Sequence, residues 1–462
     1  MSDYAAFLAA KAAIDPPTGI SAPDGLPAAL SDFQAAIVPW ALRRGRAALF
    51  AGTGLGKTLM ELAWADAVAR HTNRPVLILT PLAVAAQFVG EGDKFGIGVT
   101  RASQDSDVRG AGAYVTNYDK LARFDMDRLG GIVLDESSIL KAFDGKTRHA
   151  LIAGARRIAF RLAASATPAP NDFMELGNHA EFLGVMTHAE MLATFFIHDG
   201  GDTSKWRLKR HAEGEFWRWV ASWAVMLTRP GDLGFTDGAY QLPPLRMHEH
   251  LVEVDGPQAG MATLFAMEAR TLSERLAARR DSIVPRVDTA AALLSAHDRP
   301  AVAWCNLNAE SEALARAIPG AVEVRGGDAE GRKEEVLGAF AAGQVRVLVT
   351  KPSICGFGMN WQHCHDTAFT GLNDSFEQLY QAVRRFWRFG QQHAVDAHLI
   401  AARTEGAVLA NLKRKEADAA RMQEAMVAAM AGFSTVGVSA AAREKAGYAR
   451  RALALPSFLE AA

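Results

Sequence analysis

A glycine-rich segment near the start of the chain constrains the fold more than any other feature. The segment AALFAGTGLGKTLMELAWA places Gly52, Gly54 and Gly56 after an apolar run and directly before Lys57 and Thr58. Glycine lets the backbone turn tightly and point its N–H groups at phosphate oxygens, and the N-terminus of a following helix favours an anion. The alternative is a purely structural turn, which would not need the Lys-Thr pair. The pattern therefore predicts a phosphate-binding loop between a strand and a helix.

The residue types in this loop, called the P-loop below (residues 52–57), predict which groups contact a nucleotide. The ammonium group of Lys57 would reach the β- and γ-phosphates, and the Thr58 hydroxyl would bind Mg²⁺. The first position of the common loop pattern is Ala51 rather than Gly. The candidate nucleotide ligands in this segment are Thr53, Gly54, Gly56, Lys57 and Thr58.

An acidic pair, Asp135 and Glu136, follows the apolar run GIVL. Parallel strands present their ligands at the carboxyl edge of the sheet, so this pair is expected beside the P-loop. Asp135 would hold Mg²⁺, largely through water, and Glu136 would orient and polarise an attacking water, because phosphoryl transfer depends on positioning. The alternative is that the pair is an acidic N-cap of the next helix.

The bulk composition narrows the class of protein. A chain of 462 residues is too long for one ordinary core, and its net charge of −1 means that any nucleic-acid-binding surface must be local. Three cysteines indicate a reducing compartment rather than a disulfide framework. The N-terminus lacks a basic region before its apolar run, and no window approaches the roughly 20 apolar residues that span a bilayer. We therefore expect a cytoplasmic protein without membrane contact.

Short apolar runs alternate with helix-length amphipathic stretches along most of the chain. The runs are continuous, which is typical of strands buried on both faces of a parallel sheet. In the first half they are AALFAG, PVLILTP, AYVTNY, GIVLDE and RIAFRLAAS, and after residue 300 they are AVAWCN, VEVRG, VRVLVT, DTAFTG and VDAHLIA. The sequence therefore predicts an α/β protein with two parallel-sheet lobes.

The segments around these runs set the expected domain boundaries. They comprise a lead-in at 1–30, lobe 1 at 31–245 with a Trp-rich, basic helical insert at about 172–240, a linker at 246–288 with an amphipathic connecting helix at 257–283, lobe 2 at 289–404, and a helical tail at 405–462.

A second cluster of candidate residues lies in lobe 2, in the segment QLYQAVRRFWRFGQQ. If this segment is helical, Gln381, Arg385 and Arg388 fall at i, i+4 and i+7 on one stripe. The alternative is a solvated basic face. We interpret Arg385 and Arg388 as arginines that reach a γ-phosphate from the second lobe and stabilise charge in the transition state. The aromatic residues of the segment are expected to be core that fixes the helix: Phe386, Trp387 and Phe389.

Taken together and in order, these motifs resemble the superfamily 2 helicase-type ATPases, and most closely the Swi/Snf-like branch of DNA translocases. The resemblance covers nearly all of residues 31–402. The segments that carry it, besides the P-loop and the acidic pair, are Phe33-Gln34, VLILTPLAVAAQF, VTNYDKL, ASATPAPND (with Ser165, Thr167 and Pro168), QLPPLRMHEHLVEV, SICGFGMNWQ (with Gly356, Gly358 and Asn360) and QAVRRFWRFGQQ.

The resemblance implies two RecA-like lobes that close on ATP and Mg²⁺ and open after hydrolysis. It implies that Gln34 contacts adenine, that Gly358 belongs to the motif that senses nucleotide and strand, and that Arg385 and Arg388 act as arginine fingers. The expected function is an ATP-dependent translocase on double-stranded DNA. Two alternatives stay open: a strand-separating DNA or RNA helicase acting on single strands, and an ATP-gated clamp or recruiting subunit for a protein partner.

Two departures from the family pattern matter. The acidic motif reads Asp-Glu-Ser-Ser where relatives commonly carry a histidine after the acidic pair, so the side chain that connects it to the SAT segment is open. Arg384 stands where relatives usually have a small or acidic residue, and it would serve substrate or packing. The compact length resembles phage-encoded or prophage members, which would work in the cytoplasm of a bacterial host.

Three weaker features leave alternatives open. Residues 203–230 combine tryptophans with Lys and Arg, which suits either a nucleic-acid contact or a helical insert packed onto lobe 1. The segment His363-Cys364-His365 invites a metal, but no second ligand cluster accompanies it, so core is favoured. The segment LKRKEADAARMQEAM, from Leu412, is expected to be a solvated helix face or a helix that docks a protein partner. We expect a monomer.

Overall fold

The computed structural model describes residues 17–81, 84–141, 145–199, 202–254, 279–355, 360–373 and 375–437. Its two main sheets are entirely parallel in their strand pairs and lie in two lobes, one of seven strands and one of six. This arrangement confirms the predicted α/β architecture of two parallel-sheet lobes. Within the described part of the chain, none of the helices is long and apolar enough to cross a membrane.

Lobe 1 is built from the strands of the first sheet, the helices around them and a short hairpin. Its elements are α1 (Asp32–Arg44), β1 (Arg46–Ala51), α2 (Lys57–Thr72), β2 (Pro75–Thr80), α3 (Ala85–Phe95), β3 (Val99–Arg101), β4 (Gly112–Asn117), β5 (Gly131–Asp135), α4 (Gly145–Ala155), β6 (Phe160–Ala164), α5 (Leu176–Leu183), α6 (His188–Phe195), β7 (Phe196–Asp199), β8 (Asp202–Leu208), α7 (Glu213–Trp223) and β9 (Ala224–Leu227). The sheet order is β3-β4-β2-β5-β6-β1-β9, and β7 and β8 form the antiparallel hairpin.

Lobe 2 and the helix that follows it contain the remaining elements. They are β10 (Leu245–Val252), α8 (Ile283–Ser295), β11 (Ala301–Trp304), α9 (Asn308–Ala317), β12 (Ala321–Glu323), α10 (Glu330–Ala341), β13 (Val347–Thr350), α11 (Pro352–Cys355), β14 (Asp366–Phe369), α12 (Phe376–Val383), β15 (Val395–Ala402) and α13 (Gly406–Gly437). The second sheet has the order β10-β15-β14-β11-β13-β12.

The strand order of lobe 1 brings the two predicted nucleotide motifs to one edge. Strand β6 lies between β1, which leads into the P-loop, and β5, which ends at Asp135. All residues of β2 and β5 are buried, because helices cover both faces of the sheet, and this explains their continuous apolar sequences. The carboxyl ends of β1, β6 and β5 therefore lie side by side.

Two segments differ from the expected secondary structure. The region assigned to the linker from residue 246 coincides with β10, an edge strand that pairs with β15 and has no fully buried residue. The insert at 172–240 is not purely helical, since it contains the hairpin β7–β8 and the strand β9, which pairs with β1. The short run AVML continues directly from a buried helix, so its sequence alone does not distinguish strand from helix.

The tryptophans of the insert pack into the core of lobe 1, as one of the two alternatives predicted. Trp217, Trp219 and Trp223 on α7 are buried, and they pack in one cluster with Phe195 and Phe216. The expected connecting helix at 257–283 falls almost entirely on residues 255–278, which lie outside the described part of the chain.

Helix α13 joins the cores of both lobes. Leu409 and Leu412 near its start belong to the lobe 2 core, whereas Met422, Met426 and Met430 belong to the lobe 1 core. The three methionines recur every four residues and therefore share one face of the helix. The expectation of a solvated helix was wrong for this face, because its apolar residues are covered by α7 and β9 rather than by water or a separate partner.

We predict that Met426→Ala lowers the free energy of unfolding by about 2–5 kcal/mol, as for other large-to-small changes in a core. Met426 is 1% exposed, so truncation leaves a cavity between α13 and lobe 1. Urea unfolding followed by tryptophan fluorescence measures the effect. Glu424→Ala, at an exposed position of the same helix, is the matched control and should change stability by less than about 0.5 kcal/mol. Equal effects of the two changes would contradict the packing of this face.

Candidate functional site

A cavity of about 420 Å³ lies between the two lobes and gathers the predicted nucleotide and catalytic residues. Lobe 1 contributes Gln34, Thr53, Gly54, Gly56, Lys57, Thr58, Asp135 and Glu136, and lobe 2 contributes Asn360, Arg385 and Arg388. The predicted residue Gly358 falls in 356–359, outside the described part of the chain. We call this space the P-loop cavity.

Two positions of the P-loop require glycine, because of their backbone conformation and because of their close neighbours. Gly54 has a φ of +90° and Gly56 a φ of +72°, a conformation that side chains rarely adopt. A Cβ on Gly56 would also lie 2.4 Å from the side-chain nitrogen of Gln34, and a Cβ on Gly54 would lie 2.7 Å from the backbone nitrogen of Phe389. The loop therefore turns sharply into α2, which begins at Lys57, and leaves no space for side chains at its closest contacts.

Lys57 lies half-buried near carboxylates at the start of α2. Its Nζ donates a hydrogen bond to the Ala51 carbonyl oxygen at 2.8 Å. Burial lowers the pKa of Lys57, and the nearby charges of Glu136, Asp135 and Glu61 oppose that change. The anionic phosphates that the sequence predicts at this position would add favourable charge to a cation that burial destabilises.

Asp135 is held by two hydroxyl groups, from Thr80 at the end of the neighbouring strand β2 and from Tyr118, which directly follows β4. Thr80 Oγ1 donates to its Oδ2 at 2.8 Å, and the Tyr118 hydroxyl donates to its backbone carbonyl at 2.7 Å. Burial raises the pKa of Asp135 to about 6, and the charge of Glu136 adds to the rise. A divalent cation beside Asp135 would favour the ionised carboxylate, so this carboxyl and the Thr58 hydroxyl fit Mg²⁺ as oxygen donors.

Glu136 adopts a backbone conformation that is rare for a residue with a side chain. Its φ is +55°, and such residues are held by their surroundings, often at functional sites. Ser165 Oγ donates to Glu136 Oε1 at 2.8 Å, while the Thr167 N–H donates to that same hydroxyl at 3.0 Å. Ser165 is therefore the direct connection between the acidic motif and the SAT segment that the sequence left open.

Gln34 is fixed by hydrogen bonds on both ends of its amide. Its Oε1 accepts from the Ser31 N–H at 2.9 Å, and its Nε2 donates to the Leu55 carbonyl oxygen at 2.9 Å. An amide carries two donor hydrogens and two acceptor lone pairs, so one of each is free of these two bonds. Gln34 can therefore offer one donor and one acceptor to the edge of a base.

Arg385 and Arg388 reach the P-loop cavity, but not from the predicted helical stripe. Helix α12 ends at Val383, and the chain then turns, so the expectation of a helix through Arg388 was wrong. Gln391 stabilises the turn, because its side-chain amide nitrogen, with two hydrogens, lies within hydrogen-bond distance of the Phe386 carbonyl in the turn and of the Gln362 and Cys364 carbonyls in the adjacent segment. Burial lowers the pKa of Arg385 to about 9, with Arg388 adding to the effect, so an anion nearby would stabilise both cations.

Phe389 differs from its predicted role as core. Its side chain is 40% exposed and lines the P-loop cavity, whereas Phe386 is fully buried as predicted. The ring of Phe389 lies against Tyr240, with 4.8 Å between the ring centroids. Tyr240 also contacts Phe33, next to Gln34, edge-on at 5.2 Å. These aromatic rings make one end of the cavity apolar, which suits the flat face of a nucleobase.

Other candidate residues lie away from this cavity. The Arg384 guanidinium packs over the rings of Trp387 at 4.2 Å and Tyr380 at 5.0 Å, which supports its packing role. Cys364 is buried in the core of lobe 2, and burial raises the pKa of its thiol. Among the residues that the structure describes, no group of three or more His, Cys, Asp or Glu side chains is arranged to hold a metal ion.

Glu61 is a buried carboxyl of this region that sequence reasoning missed. It lies on α2 with 0% exposure, and neither of its oxygens has a hydrogen-bond partner among the described residues. Burial raises its pKa well above the usual range, and Asp135 adds to the rise. The available signal was a glutamate inside the apolar run LMELAWA, because a buried acid at a helical core position is rare.

Comparisons with protein families and with curated proteins found no match. The chemistry of the site is therefore inferred from its own residues, which are backbone N–H groups and a lysine that suit a phosphate, oxygen donors that suit a divalent cation, a positioned carboxylate and two arginines from the opposite lobe.

We predict that Glu61→Gln makes the chain more stable at neutral pH, by about 1–3 kcal/mol, because keeping a buried carboxyl neutral costs about 1.4 kcal/mol for each pH unit above its ordinary pKa, and glutamine does not ionise. Below the ordinary pKa of 4.5 the carboxyl is protonated in both the folded and the unfolded chain. As the pH rises above 4.5, the unfolded chain ionises first, so the wild type loses stability that the variant keeps. Chemical unfolding between pH 4 and pH 8, with exposed Glu424→Gln as control, measures the gap. If the stability difference between Glu61→Gln and the wild type does not increase with pH, the raised pKa of Glu61 is contradicted.

Proposed function

We propose that this chain is a cytoplasmic ATP hydrolase that closes two lobes on ATP and Mg²⁺ and moves along double-stranded DNA. The observation that carries the proposal is the P-loop cavity, in which a lysine and an acidic pair from lobe 1 face two arginines from lobe 2. A site divided in this way depends on the relative position of the lobes, so hydrolysis and lobe movement are coupled.

The residues of lobe 1 bind the triphosphate and the metal ion. Backbone N–H groups of the P-loop and the Lys57 ammonium hold the phosphates, and the α2 N-terminus adds a favourable dipole. The Thr58 hydroxyl and the Asp135 carboxylate hold Mg²⁺, which neutralises charge on the phosphates when bound. Gln34 contacts the edge of the adenine, and Tyr240 lies at the same apolar end of the cavity.

The residues around the γ-phosphate promote its transfer to water. Glu136, held by Ser165, orients the attacking water and accepts its hydrogen bond. Arg385 and Arg388 stabilise the negative charge of the transition state from lobe 2. Their burial in a shared cavity strengthens this effect, because charges interact more strongly away from bulk water.

The choice of duplex DNA rests on the resemblance of the ordered motifs to the Swi/Snf-like branch. One structural observation supports it over a single-strand platform. Three tryptophans of the insert, Trp217, Trp219 and Trp223, are buried and are not available to stack on unpaired bases. Contact with the backbone phosphates of a duplex needs no such platform.

The nucleic-acid class is tested by the steady-state rate of ATP hydrolysis with no nucleic acid, duplex DNA, single-stranded DNA and RNA. We expect strong stimulation by duplex DNA. Preference for single strands or RNA would indicate a strand-separating helicase, and turnover that none of them stimulates would favour a clamp that responds to a protein partner.

We predict that Lys57→Ala reduces ATP hydrolysis to background, by at least about 100-fold, because the triphosphate loses the cation at its β- and γ-phosphates. Circular dichroism and thermal unfolding serve as controls for the fold. Turnover that nucleic acid still stimulates in this variant would contradict the P-loop assignment.

We predict that Arg388→Ala binds ATP with an affinity close to that of the wild type but loses at least about 100-fold in turnover, since an arginine finger acts mainly on the transition state. Arg403→Ala, an exposed position in the same lobe, is the matched control. Binding is measured with a fluorescent ATP analogue and turnover by phosphate release. Near-normal turnover in Arg388→Ala would rule out the finger role.

A further inference from the structure

Glu377 on α12 makes a polar contact from lobe 2 to the acidic motif of lobe 1. Its Oε1 accepts a hydrogen bond from Ser138 Oγ at 2.7 Å, and its Oε2 pairs with Lys141 Nζ at 2.5 Å. The Lys141 and Glu377 side chains are only 21% and 15% exposed. Each carboxylate oxygen of Glu377 therefore has its own partner in lobe 1, and the contact exists only while the lobes are together.

Ser138 also lies next to the candidate catalytic carboxylate. Its Oγ is 3.2 Å from Glu136 Oε1, the same oxygen that accepts from Ser165 at 2.8 Å. A serine hydroxyl carries one proton, so Ser138 can donate to Glu136 or to Glu377 but not to both. The shorter distance to Glu377 favours donation by the Ser138 hydroxyl to lobe 2.

The direction of this one proton changes what Glu136 can accept. A carboxylate oxygen has two lone-pair sites. When Ser165 and Ser138 both donate to Oε1, that oxygen has no site left, and only Oε2 could accept the attacking water. When Ser138 donates to Glu377 instead, one lone-pair site of Oε1 becomes free.

We propose that Ser138 is a positioning residue that makes Oε1 of Glu136 available to the attacking water only when lobe 2 closes, with Glu377 as the alternative hydrogen-bond acceptor for the Ser138 hydroxyl. This inference rests on the proposed function. In the open arrangement Ser138 donates to Oε1 of Glu136 and occupies the lone-pair site of that oxygen with which water would be held. Closure brings Glu377 within hydrogen-bond distance, the hydroxyl rotates, and Glu136 is free to accept a hydrogen bond from water. No covalent bond changes in this step.

Lys141 makes Glu377 a suitable acceptor. Two carboxylates around one hydroxyl would repel each other, and a positive charge at 2.5 Å from Glu377 offsets that repulsion. Lys141 lies three residues after Ser138 on the same short segment, so one turn of chain supplies both contacts. The Ser-Ser sequence after the acidic pair thus has a role of its own, although it departs from the family pattern.

The test is a double-mutant cycle in single-turnover ATP hydrolysis, with and without duplex DNA. In Glu377→Ala the proton of Ser138 has no acceptor in lobe 2, so we expect the DNA-stimulated rate to fall between about 2-fold and about 13-fold, the equivalent of one hydrogen bond. The affinity for ATP should not change. Ser138→Ala frees Glu136 in both arrangements, so hydrolysis without DNA should rise by a similar factor.

The combined variant decides between positioning and mere structural support. If Ser138 acts as proposed, adding Ser138→Ala to Glu377→Ala restores the DNA-stimulated rate, because no hydroxyl is left to block Glu136. If the combined variant is as slow as Glu377→Ala, the inference is overturned while the proposed function stands. A wild-type chain whose ATP turnover equals that of Lys57→Ala would overturn the proposed function, and this inference with it. Thermal unfolding of each variant confirms that the compared chains are folded.

Discussion

The close approach of two backbone turns is the contact on which the candidate site depends. The P-loop turn at Gly54 meets the turn at Phe389 so tightly that a single Cβ would lie 2.7 Å from a backbone nitrogen. Lobe 1 supplies one turn and lobe 2 the other. Because Arg388 directly precedes Phe389, this contact also determines how far its guanidinium reaches into the P-loop cavity. Glycine at position 54 is therefore a requirement of the lobe interface as well as of the loop.

Burial shifts the ionisable groups of the cavity towards their neutral forms. It lowers the pKa of Lys57 and of Arg385, and it raises the pKa of Asp135 and of Glu61. The charge of Arg388 adds to the lowering of the Lys57 and Arg385 pKa values, and neighbouring carboxylates add to the raising of the Asp135 and Glu61 pKa values. A nucleotide and a divalent cation bring the opposite charges to both sets, so their binding would relieve a cost that the folded chain carries.

The sequence predicted the parts of the fold that depend on local patterns. Continuous apolar runs identified the central strands, and the glycine spacing located the start of α2 at Lys57. It did not predict β9 or β10, because these edge strands carry residues that also occur at a buried helix end or in a half-exposed loop. The turn that follows α12 is stabilised by side-chain hydrogen bonds of Gln391, which helix periodicity does not reveal.

The residues of the candidate site likewise fall into those that the sequence predicted and those that it did not. Residues with an obligatory chemical type, such as Lys57 and Asp135, could be named from spacing. The contact of Glu377 with Ser138 could not, because it depends on how two lobes meet and the two residues are far apart in the chain. The buried face of α13 was not predicted for the same reason, because its methionines pack against lobe 1, which lies far away in the sequence.

Helix α13 gives the chain a second mechanical link between its lobes. The chain first passes from lobe 1 to lobe 2 between β9 and β10. The second link is α13, a continuous helix of 32 residues that packs on the lobe 2 core near its start and on the lobe 1 core further along. A body attached at one point can swivel in any direction, but a body attached at two points keeps only rotation about the line that joins them. The flexible side chains of methionine tolerate small sliding movements at one attachment. A relative movement of the lobes would therefore be a hinge rotation that changes the distance across the P-loop cavity and keeps the alignment of its two walls.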